Sequence, residues 1–386
     1  MKILDVAEFY SKRGGGVKTY LNGQMSFGAR YGHEIVIVAP GAVDKVEQSD
    51  GGKIIWVKSP PTPDPRYRMF WRASPVIKVL ERERPDIVVG SSPWMGGRIV
   101  SNWPGAAKKV MFMHQDPVAA YAHAILGRKI SHVRIDKMFG WYWRILKRLN
   151  DRYDATVVGS EWFANRLTQF GFRPPRIVPL GVDKELFLSK VPDPGLKADL
   201  LSSCGAPLGS KLLLAVSRLH PEKRLDIIFD AFGEVSARQD VGLVILGDGP
   251  LRRRVERRAA RMKGVCLKGF VPDRSELASI VACADALIHG GAFEPFGLAV
   301  AEGMCAGLPL VVPETGGAGE LAMPEYSEKY PVNSASGCAD ALRRLLSRNL
   351  QEMSDASRSA AIDNVISSDE HFSRLFGHYS ELLHRP

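Results

Sequence analysis

Two glutamates, eight positions apart, flank the start of a predicted helix in the C-terminal half of the chain. Glu294 precedes a Pro-Phe-Gly turn, and Glu302 lies more than one turn inside the helix predicted over Leu298 to Cys305. At about 1.5 Å rise per residue, the two carboxylates cannot bind the same atom, but they can hold hydroxyl groups on either side of an anion. A nucleotide sugar, with a hexose and a ribose joined by a diphosphate, has this layout.

The start of that helix predicts an anion site. Backbone N–H groups around Phe296, Gly297 and Leu298 have no partner within the helix, and the positive end of the helix dipole lies beside them. A phosphate fits such a position. Acidic residues near a helix start also occur as ordinary capping, but the glycine pairs at Gly290–Gly291 and Gly316–Gly317 favour a ligand-binding loop.

Two cations, Arg218 and Lys223, flank a proline turn after the strand predicted over Leu212 to Val216. Paired cations can neutralise the charge that develops on a diphosphate leaving group. Solvated surface charge is the common alternative for such residues. However, cations near a helix N-terminus oppose its dipole, which favours an anionic ligand at this turn.

Two further candidates lie in the N-terminal half. His114 stands where the strand predicted over Val110 to Met113 meets its loop, a place where a histidine is often only structural. Gly14-Gly15-Gly16 follows the first strand, and glycines let a backbone approach a ligand closely. The chain lacks Gly-Lys-Ser/Thr at this loop, which excludes a Walker phosphate loop, and lacks Gly-x-Gly-x-x-Gly, so NAD binding is weakly supported.

Alternating apolar strands and amphipathic segments must position these residues. The predicted strands are Ile3–Val6, Ile35–Ala39, Ile54–Val57, Ile87–Val89, Val110–Met113, Thr156–Val158, Ile177–Pro179, Leu212–Val216, Leu243–Leu246, Val265–Lys268, Ala286–Ile288 and Leu310–Val312. The alternation predicts an α/β protein with two doubly wound parallel sheets, whose ligands bind outside the carboxyl ends of the strands, in a cleft between the domains. A Pro- and Gly-rich linker at 191–195 separates a first domain, 1–188, from a second, 189–368. The tail, 369–386, has helical apolar spacing.

Composition limits the function classes. The 386 residues suffice for two domains, 45% are apolar, and no run approaches the about 18–20 apolar residues of a membrane span. The five cysteines form no Cys-x-x-Cys pair, so reduced core thiols are expected rather than a disulfide or zinc framework. The net charge of +10 suits a nucleotide, an anionic lipid or a nucleic acid, but no nucleic-acid motif accompanies it. The acid at Asp5 argues against a signal peptide, so we expect a cytoplasmic protein.

Two basic and aromatic patches lie in the first half, at Arg66 to Arg72 and at Arg128 to Arg152. They suit an interface with anionic lipid or an acceptor groove. Arginine stems that cover aromatic rings on an ordinary surface would give the same pattern. The sequence leaves these alternatives open.

The segment Ala286 to Leu321 closely resembles the E-x7-E region of the family-four glycosyltransferases, which are retaining enzymes of the GT-B fold. Further segments resemble the same family: the glycine loop, the strand-end histidine, the Arg-x4-Lys pair, and the turns around Gly247 and Val271. The resemblance implies two Rossmann-like domains, with the last helix returning to complete the first.

The resemblance also implies roles for individual residues. Glu302 would bind ribose hydroxyls and Glu294 the hydroxyls of the transferred sugar. The backbone at Phe296, Gly297 and Leu298, together with Arg218 and Lys223, would hold the diphosphate. His114 would lie over the sugar, Gly15 and Gly16 would admit the acceptor, and Gly247 and Val271 would border the nucleotide. Asp116 has no fixed place in the family pattern.

The implied reaction moves a hexosyl unit, mannose or glucose, from GDP- or UDP-hexose to a hydroxyl acceptor, giving an α-linkage. No metal or other cofactor is expected, and the chain has no Asp-x-Asp metal motif. A lipid-linked or envelope-glycan acceptor, with peripheral association at the inner face of the membrane, is a further expectation. Two alternatives stay open: a nucleotide-sugar epimerase of the same architecture, for which His114 has no acid–base partner, and a non-catalytic membrane-binding module.

Overall fold

A computed structural model of the chain describes residues 1–11, 16–62, 67–127 and 129–384. Its contacts divide the chain into two compact units. The first comprises residues 1–115, 138–179 and 368–386, and the second comprises 116–137 and 180–367. These units group residues 116–137 and 180–188 with the C-terminal part of the chain. The domain limits proposed from the sequence, 1–188 and 189–368, stay a prediction.

The described residues form strands and helices in alternation. The strands are β1 (Lys2–Val6), β2 (Glu34–Gly41), β3 (Lys45–Ser49), β4 (Gly52–Lys58), β5 (Ile87–Gly90), β6 (Lys108–Phe112), β7 (Ala155–Val158), β8 (Arg176–Ile177), β9 (Lys211–Val216), β10 (Val241–Leu246), β11 (Val265–Gly269), β12 (Ala286–Ile288), β13 (Leu310–Pro313) and β14 (Ser327–Tyr330). The helices are α1 (Gly16–Arg30), α2 (Ala73–Glu83), α3 (Met95–Asn102), α4 (Ala124–Leu126), α5 (His132–Met138), α6 (Gly140–Asn150), α7 (Glu161–Gln169), α8 (Lys184–Leu188), α9 (Pro194–Cys204), α10 (Leu225–Ser236), α11 (Arg252–Ala259), α12 (Arg274–Ala282), α13 (Leu298–Cys305), α14 (Gly316–Leu321), α15 (Ala335–Leu346), α16 (Leu350–Asn364) and α17 (Ser368–Leu383). A π-helical turn, Ala119–His123, precedes α4, and a 3-10 turn, Pro221–Lys223, precedes α10.

The first unit is built on a sheet with the strand order β3-β4-β2-β1-β5-β6-β7-β8. Its described strands pair in parallel, except for the antiparallel edge strand β3. The terminal helix α17 packs against α1, where Phe372 stacks on Phe27 with ring centroids 5.1 Å apart. Since Leu375, Phe376 and Tyr379 of α17 are buried, this last helix completes the core of the first unit.

The second unit is built on a parallel sheet with the order β11-β10-β9-β12-β13-β14. Apolar clusters cover both faces of the sheet, which explains why its strands are nearly continuous apolar runs. The strand order reverses between β9 and β12. Such a switch point opens a crevice at the carboxyl ends of the strands, and ligands of doubly wound sheets bind there.

The structure confirms the twelve predicted strands in kind, with one shortened. The strand predicted over Ile177–Pro179 is only the two-residue β8, since Pro179 cannot donate to a neighbouring strand. The predicted linker at 191–195 is partly wrong. Helix α9 already begins at Pro194, where proline suits the first helical position, and Asp193 caps it by accepting from the N–H groups of Gly195 and Leu196.

All five cysteines are free thiols, as expected. Two of them lie together: the sulfur of Cys204 at the end of α9 is 2.7 Å from that of Cys266 on β11. Among the described residues, no helix combines the length and the apolar character needed to cross a membrane.

Candidate active site

The centre of the candidate site is an ion pair at the switch point of the second sheet. Lys223 follows β9, and Glu294 follows β12 on the neighbouring strand. Lys223 Nζ lies 2.9 Å from Glu294 Oε1, and His289 Nε2 lies 2.7 Å from Glu294 Oε2. The carboxylate therefore lies between a lysine and a buried histidine at the end of β12.

Glycines allow this close approach. A Cβ atom on Gly290 would lie 2.5 Å from the carbonyl oxygen of Lys223, and one on Gly291 would lie 2.9 Å from His289 Nε2. Real Cβ atoms do not approach backbone atoms so closely. The pair Gly290–Gly291 therefore lets the β12 loop pack directly against the turn that carries Lys223.

The pair is strongly coupled electrostatically. Burial raises the pKa of Glu294, but its contacts with Lys223 and His289 outweigh burial and hold that pKa well below its usual range. Burial likewise lowers the pKa of Lys223, but Glu294 and Glu222 more than compensate and raise it. Both groups are therefore charged at neutral pH.

Arg218 supplies a second positive charge beside this pair. It is exposed on the loop after β9, and its charge works against protonation of Lys223, which shows that the two cations are neighbours. Arg218 thus lies near Lys223, which pairs with Glu294. Binding of a diphosphate by the two cations stays a prediction.

Glu302 forms a separate ion pair one helix away. Arg274, the first residue of α12, donates to Glu302 Oε1 at 2.7 Å and to Asp183 Oδ2 at 3.0 Å. Its guanidinium also lies over the ring of Phe187, 5.2 Å from the centroid. Burial raises the pKa of Glu302, and Arg274 opposes this. The structure therefore fixes the orientation of Glu302, the proposed ribose ligand, through Arg274.

Helix α13, which follows Glu294 and contains Glu302, has the bounds predicted from the sequence, Leu298–Cys305. Gly297 precedes α13 with φ 95°, a left-handed conformation that favours glycine, and its carbonyl accepts from the N–H groups of Val300 and Ala301. The first amides of such a helix have no intrahelical partner and can donate to an anion. Phe296, in the middle of the Pro-Phe-Gly turn, is buried in the core.

A second glycine loop supports this helix start. A Cβ atom on Gly317 would lie 2.4 Å from the backbone of Phe296, and the N–H of Gly317 donates to the carbonyl of Glu294 at 2.7 Å. The loop after β13 therefore packs directly under the loop that carries Glu294. The sequence singled out this glycine pair without assigning it to the site.

Gly247 and Val271 flank the same edge of the sheet. Gly247 has φ 133°, and a Cβ atom there would lie 1.9 Å from the carbonyl oxygen of Ser217. Only glycine therefore lets the β10 loop approach the loop of Arg218 this closely. Val271, half-buried after β11, packs against the core of the second unit. Their contacts with a nucleotide stay a prediction.

His114 lies in the first unit, after β6. Its ring packs against Tyr20 and Phe112, with centroids 4.9 and 4.4 Å away. Burial lowers the pKa of His114 to about 3, with a smaller contribution from His371. Its Nε2 has no hydrogen-bond partner among the described residues. A neutral imidazole with a free ring nitrogen suits hydrogen bonding to a sugar hydroxyl rather than charge stabilisation.

Two buried carboxylates also lie at the carboxyl edge of the first sheet, between β1 and β5. Glu8 accepts from Ser92 Oγ at 2.8 Å and from the N–H of Gly96 at 3.1 Å. Asp5 accepts from Ser91 Oγ at 2.8 Å, and burial raises its pKa to about 7. Sequence analysis missed both, although each is an acid within or just after an apolar strand.

The remaining predicted residues divide by position. Gly16 begins α1, and a Cβ atom there would meet nothing within 4 Å. Gly15 lies outside the described residues. Asp116 is fully buried and accepts from the N–H groups of Val118 and Ala119, so it has a capping role.

Part of each basic and aromatic patch proves to be core. Phe70 and Trp143 are buried, whereas Trp71 and Trp141 are more than half exposed. Arg66 and Arg128, at the ends of the predicted patches, lie outside the described residues.

His289 and Arg274 are the partners that sequence reasoning missed. His289 gave a signal, because it ends an apolar strand immediately before Gly290–Gly291, as His114 ends another. Arg274 gave none, since it lies 28 residues from Glu302 and 91 from Asp183.

The chain is similar in sequence to known protein families. Residues 200–363 match the profile of Glycosyl transferases group 1, and residues 14–186 match that of Glycosyltransferase Family 4. A GDP-mannose-dependent alpha-(1-6)-phosphatidylinositol dimannoside mannosyltransferase of Mycobacterium tuberculosis is 29% identical over 90% of this chain and 88% of that protein. A GDP-mannose-dependent alpha-mannosyltransferase of Corynebacterium glutamicum is 26% identical over 82% and 73%.

The fold is shared more widely. The structure of sucrose-phosphate synthase from Thermosynechococcus elongatus matches with a TM-score of 0.79 over 99% of both chains, at 17% identity. Two sheets of this topology, together with this structural likeness, show the GT-B fold. The two profiles span most of the chain, which belongs to the family-four glycosyltransferases.

Proposed function

We propose that the chain transfers a hexosyl unit from a nucleoside-diphosphate hexose to a hydroxyl acceptor with retention of configuration, giving an α-linkage. The observation that carries the proposal is the Lys223–Glu294 pair at the switch point, beside Arg218 and the start of α13. Because the lysine ammonium has three N–H donors and Glu294 takes one, two donors stay available for a diphosphate. The site therefore offers positive charge where the leaving group would develop negative charge.

The two glutamates take different roles in this proposal. Glu294, which is ionised, would accept hydrogen bonds from hydroxyls of the transferred sugar. Glu302, oriented by Arg274, would accept from the ribose hydroxyls. His114 would contact the sugar as a neutral imidazole, and Gly15 and Gly16 would admit the acceptor. Gly247 and Val271 would border the base.

No protein nucleophile is assigned. An oxygen of the leaving phosphate would assist deprotonation of the acceptor hydroxyl, while Arg218, Lys223 and the amides of α13 hold that phosphate. We propose that Arg218 and Lys223 stabilise the negative charge of the leaving phosphate, as a metal ion does in other transferases, so that transfer proceeds without a metal ion. Activity that disappears with EDTA and returns with Mg²⁺ would contradict this part of the proposal.

GDP-mannose is the first donor to test, because the two relatives named above are GDP-mannose-dependent. UDP-glucose is the second. For the acceptor we propose a lipid-linked glycan, since the mycobacterial relative is named for a phosphatidylinositol dimannoside. We also propose that the protein works at the cytoplasmic face of a membrane.

The test is nucleotide release from each donor by the native chain, Arg218→Ala and Glu302→Ala. We expect slow release from one donor. Loss of Arg218 should lower the rate roughly 10²-fold, as for other groups that stabilise developing charge. Loss of Glu302 should lower kcat/KM about 10- to 100-fold, because a buried hydrogen bond to a charged group is lost.

Arg253→Ala is the matched control, because it removes an exposed arginine from α11 outside the site. It should behave like the native chain. No release from any donor, together with no thermal stabilisation by GDP or UDP, would overturn the proposed function. Vesicle binding that survives loss of both Arg218 and Glu294 would then favour a membrane-binding module.

A further inference from the structure

Residues 116–137, which we name the strap, belong to the second unit although they follow a strand of the first. The strap contains the π-helical turn Ala119–His123, α4 and the start of α5. Asp116 caps its beginning, and His123 Nε2 donates to Asp136 Oδ1 at 2.9 Å, which ties the π-helical turn to α5. Its first part packs against the turn Pro221–Lys223, which carries the site lysine.

The strap holds the donor loop through Phe293. The rings of His123 and His132 both meet the Phe293 ring edge-on, with centroids 4.6 and 4.5 Å away. Pairs of this geometry contribute beyond the area they bury. Because Phe293 immediately precedes Glu294, its place between the two histidines fixes the backbone from which that carboxylate projects.

A second contact reaches the lysine side of the ion pair. Asn333 Nδ2 donates to the carbonyl of Gly127 at 3.0 Å and to His132 Nε2 at 2.8 Å. Its Oδ1 accepts from the guanidinium of Arg224, which is itself buried and paired with Asp226. Because Arg224 follows Lys223 directly, one asparagine links the strap to the turn that carries the lysine.

The middle of the strap is packed less closely than its beginning, where Val118, Ala119 and Ala120 are buried. A cavity of about 250 Å³ lies between Ile125 of the strap and helices α10 and α11, lined by Phe229 and Val255. Ile125 itself is 70% exposed. The aromatic contact at Phe293 and the polar contact at Asn333 therefore add to the packing of Ala119–His123 on the Pro221–Lys223 turn, and together these contacts attach the strap near the site.

We infer that the strap is a positioning device for the Lys223–Glu294 pair, and that Asn333 and Phe293 are its positioning residues. The inference rests on the proposed function. Neither residue needs to touch the donor. Phe293 acts through Glu294, which follows it in the chain, and Asn333 acts through Lys223, which precedes its partner Arg224. A small displacement of such groups can change a rate strongly, because reacting geometries tolerate little misplacement.

The main variants are Asn333→Gly, Asn333→Asp and Phe293→Leu. Asn333 has φ 63°, so glycine removes its side chain without adding backbone strain. Aspartate keeps the acceptor for Arg224 but loses both donors to the strap. We expect all three to lower kcat/KM for the donor roughly 10- to 100-fold, with the KM for the acceptor unchanged. Phe293→Tyr, which keeps the ring, should have the native kcat/KM for the donor.

Val133→Ala is the matched control, because Val133 lies in the strap and is 66% exposed. It should leave both kinetics and stability unchanged. An Asn333→Asp variant with native kinetics would overturn the inference, because the contact with Arg224 would then suffice without the strap.

A second measurement does not depend on turnover. The strap contains trypsin sites at Lys129, Arg134 and Lys137, and a docked strap should be cut slowly. We expect Asn333→Gly and Phe293→Leu to accelerate cleavage at these sites at least several-fold, with Val133→Ala unchanged. Cleavage at the native rate in both variants would overturn the inference, whether or not the native chain turns over a donor. Failure of the proposed function would appear differently, as a native chain that binds and turns over no donor.

Discussion

At the scale of single residues, the site depends on two oppositely charged side chains, Lys223 and Glu294, that pair with each other. Lys223 and Glu294 are largely buried, and each shifts the pKa of the other toward its charged form. Removing one partner of such a pair leaves the other charge buried and uncompensated, which costs more than the pair itself contributes. The pair is therefore a structural requirement of the second unit as well as a proposed ligand for the donor.

Lys223→Met tests this coupling. We expect it to lower the free energy of unfolding at pH 7 by about 2–4 kcal/mol, slightly less than for a fully buried pair. In the native chain the pKa of Glu294 is depressed, so the stability it contributes is present above its unfolded pKa and is lost only in strong acid. Without Lys223, burial acts with less opposition. The stability difference between the two proteins should therefore grow as pH rises from 4 to 7.

The measurement is chemical denaturation of both proteins across that pH range. Lys147→Met is the control, because Lys147 forms an exposed pair with Asp151 on α6. Exposed pairs contribute about 0–1 kcal/mol. A difference for Lys223→Met that matches the control, or that shrinks as pH rises, would contradict the coupling.

Residue types predicted the part of the site whose residues are close together in the sequence. They did not predict contacts between residues far apart along the chain. Arg218 and Lys223 are five positions apart, and the two glutamates eight, so a local pattern reveals both pairs. The sequence does not show that Lys223 pairs with Glu294, 71 positions away, because that contact arises only when β9 and β12 become neighbours. Arg274 and Asn333 were missed for the same reason, because their partners Glu302 and Arg224 lie 28 and 109 positions away.

At the scale of elements, apolar runs predicted the buried strands well, and less regular segments failed. Strand β14, read as Ser-Glu-Lys-Tyr, has too few apolar residues to be recognised, yet it pairs with β13 along its length. Strand β3 is exposed at the edge of its sheet and has no apolar face. Each of these two strands forms by pairing with a neighbouring strand, β14 with β13 and β3 with β4. A pattern of adjacent residues carries no information about that pairing.

The close packing of loops makes a prediction at this scale. Gly317→Ala would place a Cβ atom 2.4 Å from the backbone of Phe296, which cannot move without shifting the start of α13. We expect a loss of about 1–3 kcal/mol in the free energy of unfolding, as for other overpacked sites, and weaker binding of GDP or UDP. Thermal unfolding and titration calorimetry would measure these effects.

Gly377→Ala is the matched control for that substitution. Gly377 lies within α17, and an added Cβ atom would meet nothing within 4 Å. Alanine in a helix interior should raise stability by about 0.5–1 kcal/mol. Native nucleotide affinity in Gly377→Ala and reduced affinity in Gly317→Ala are expected together; equal affinities would show that the glycine loop does not shape the anion site.

At the scale of the whole molecule, net charge and exposed apolar residues bear on the proposed membrane association. The chain carries a net charge of +10. In the first unit, helix α6 exposes Trp141, Arg144, Ile145 and Arg148, spaced three and four positions apart and therefore on one face. A face that alternates apolar and cationic side chains suits the interface of an anionic bilayer.

Binding to vesicles with and without anionic lipid tests this proposal. We expect association with anionic vesicles that weakens as salt rises, since surface charges are screened. The double variant Trp71→Ser and Trp141→Ser should bind several-fold more weakly. Leu208→Ser, which changes a residue of the second unit that is 74% exposed, should bind like the native chain. Equal binding to neutral and anionic vesicles, or no binding to either, would contradict the proposal.

The discontinuity of both units has a consequence for biosynthesis. The strap leaves the ribosome before Asn333, and at about 5–20 residues per second the interval of about 200 residues lasts on the order of 10–40 s. The core of the first unit is completed only by α17, the last helix. During synthesis both units therefore expose apolar surface until the later segments that cover it, residues 180–367 and α17, have been made, and exposed surface of this kind makes a nascent chain prone to aggregate.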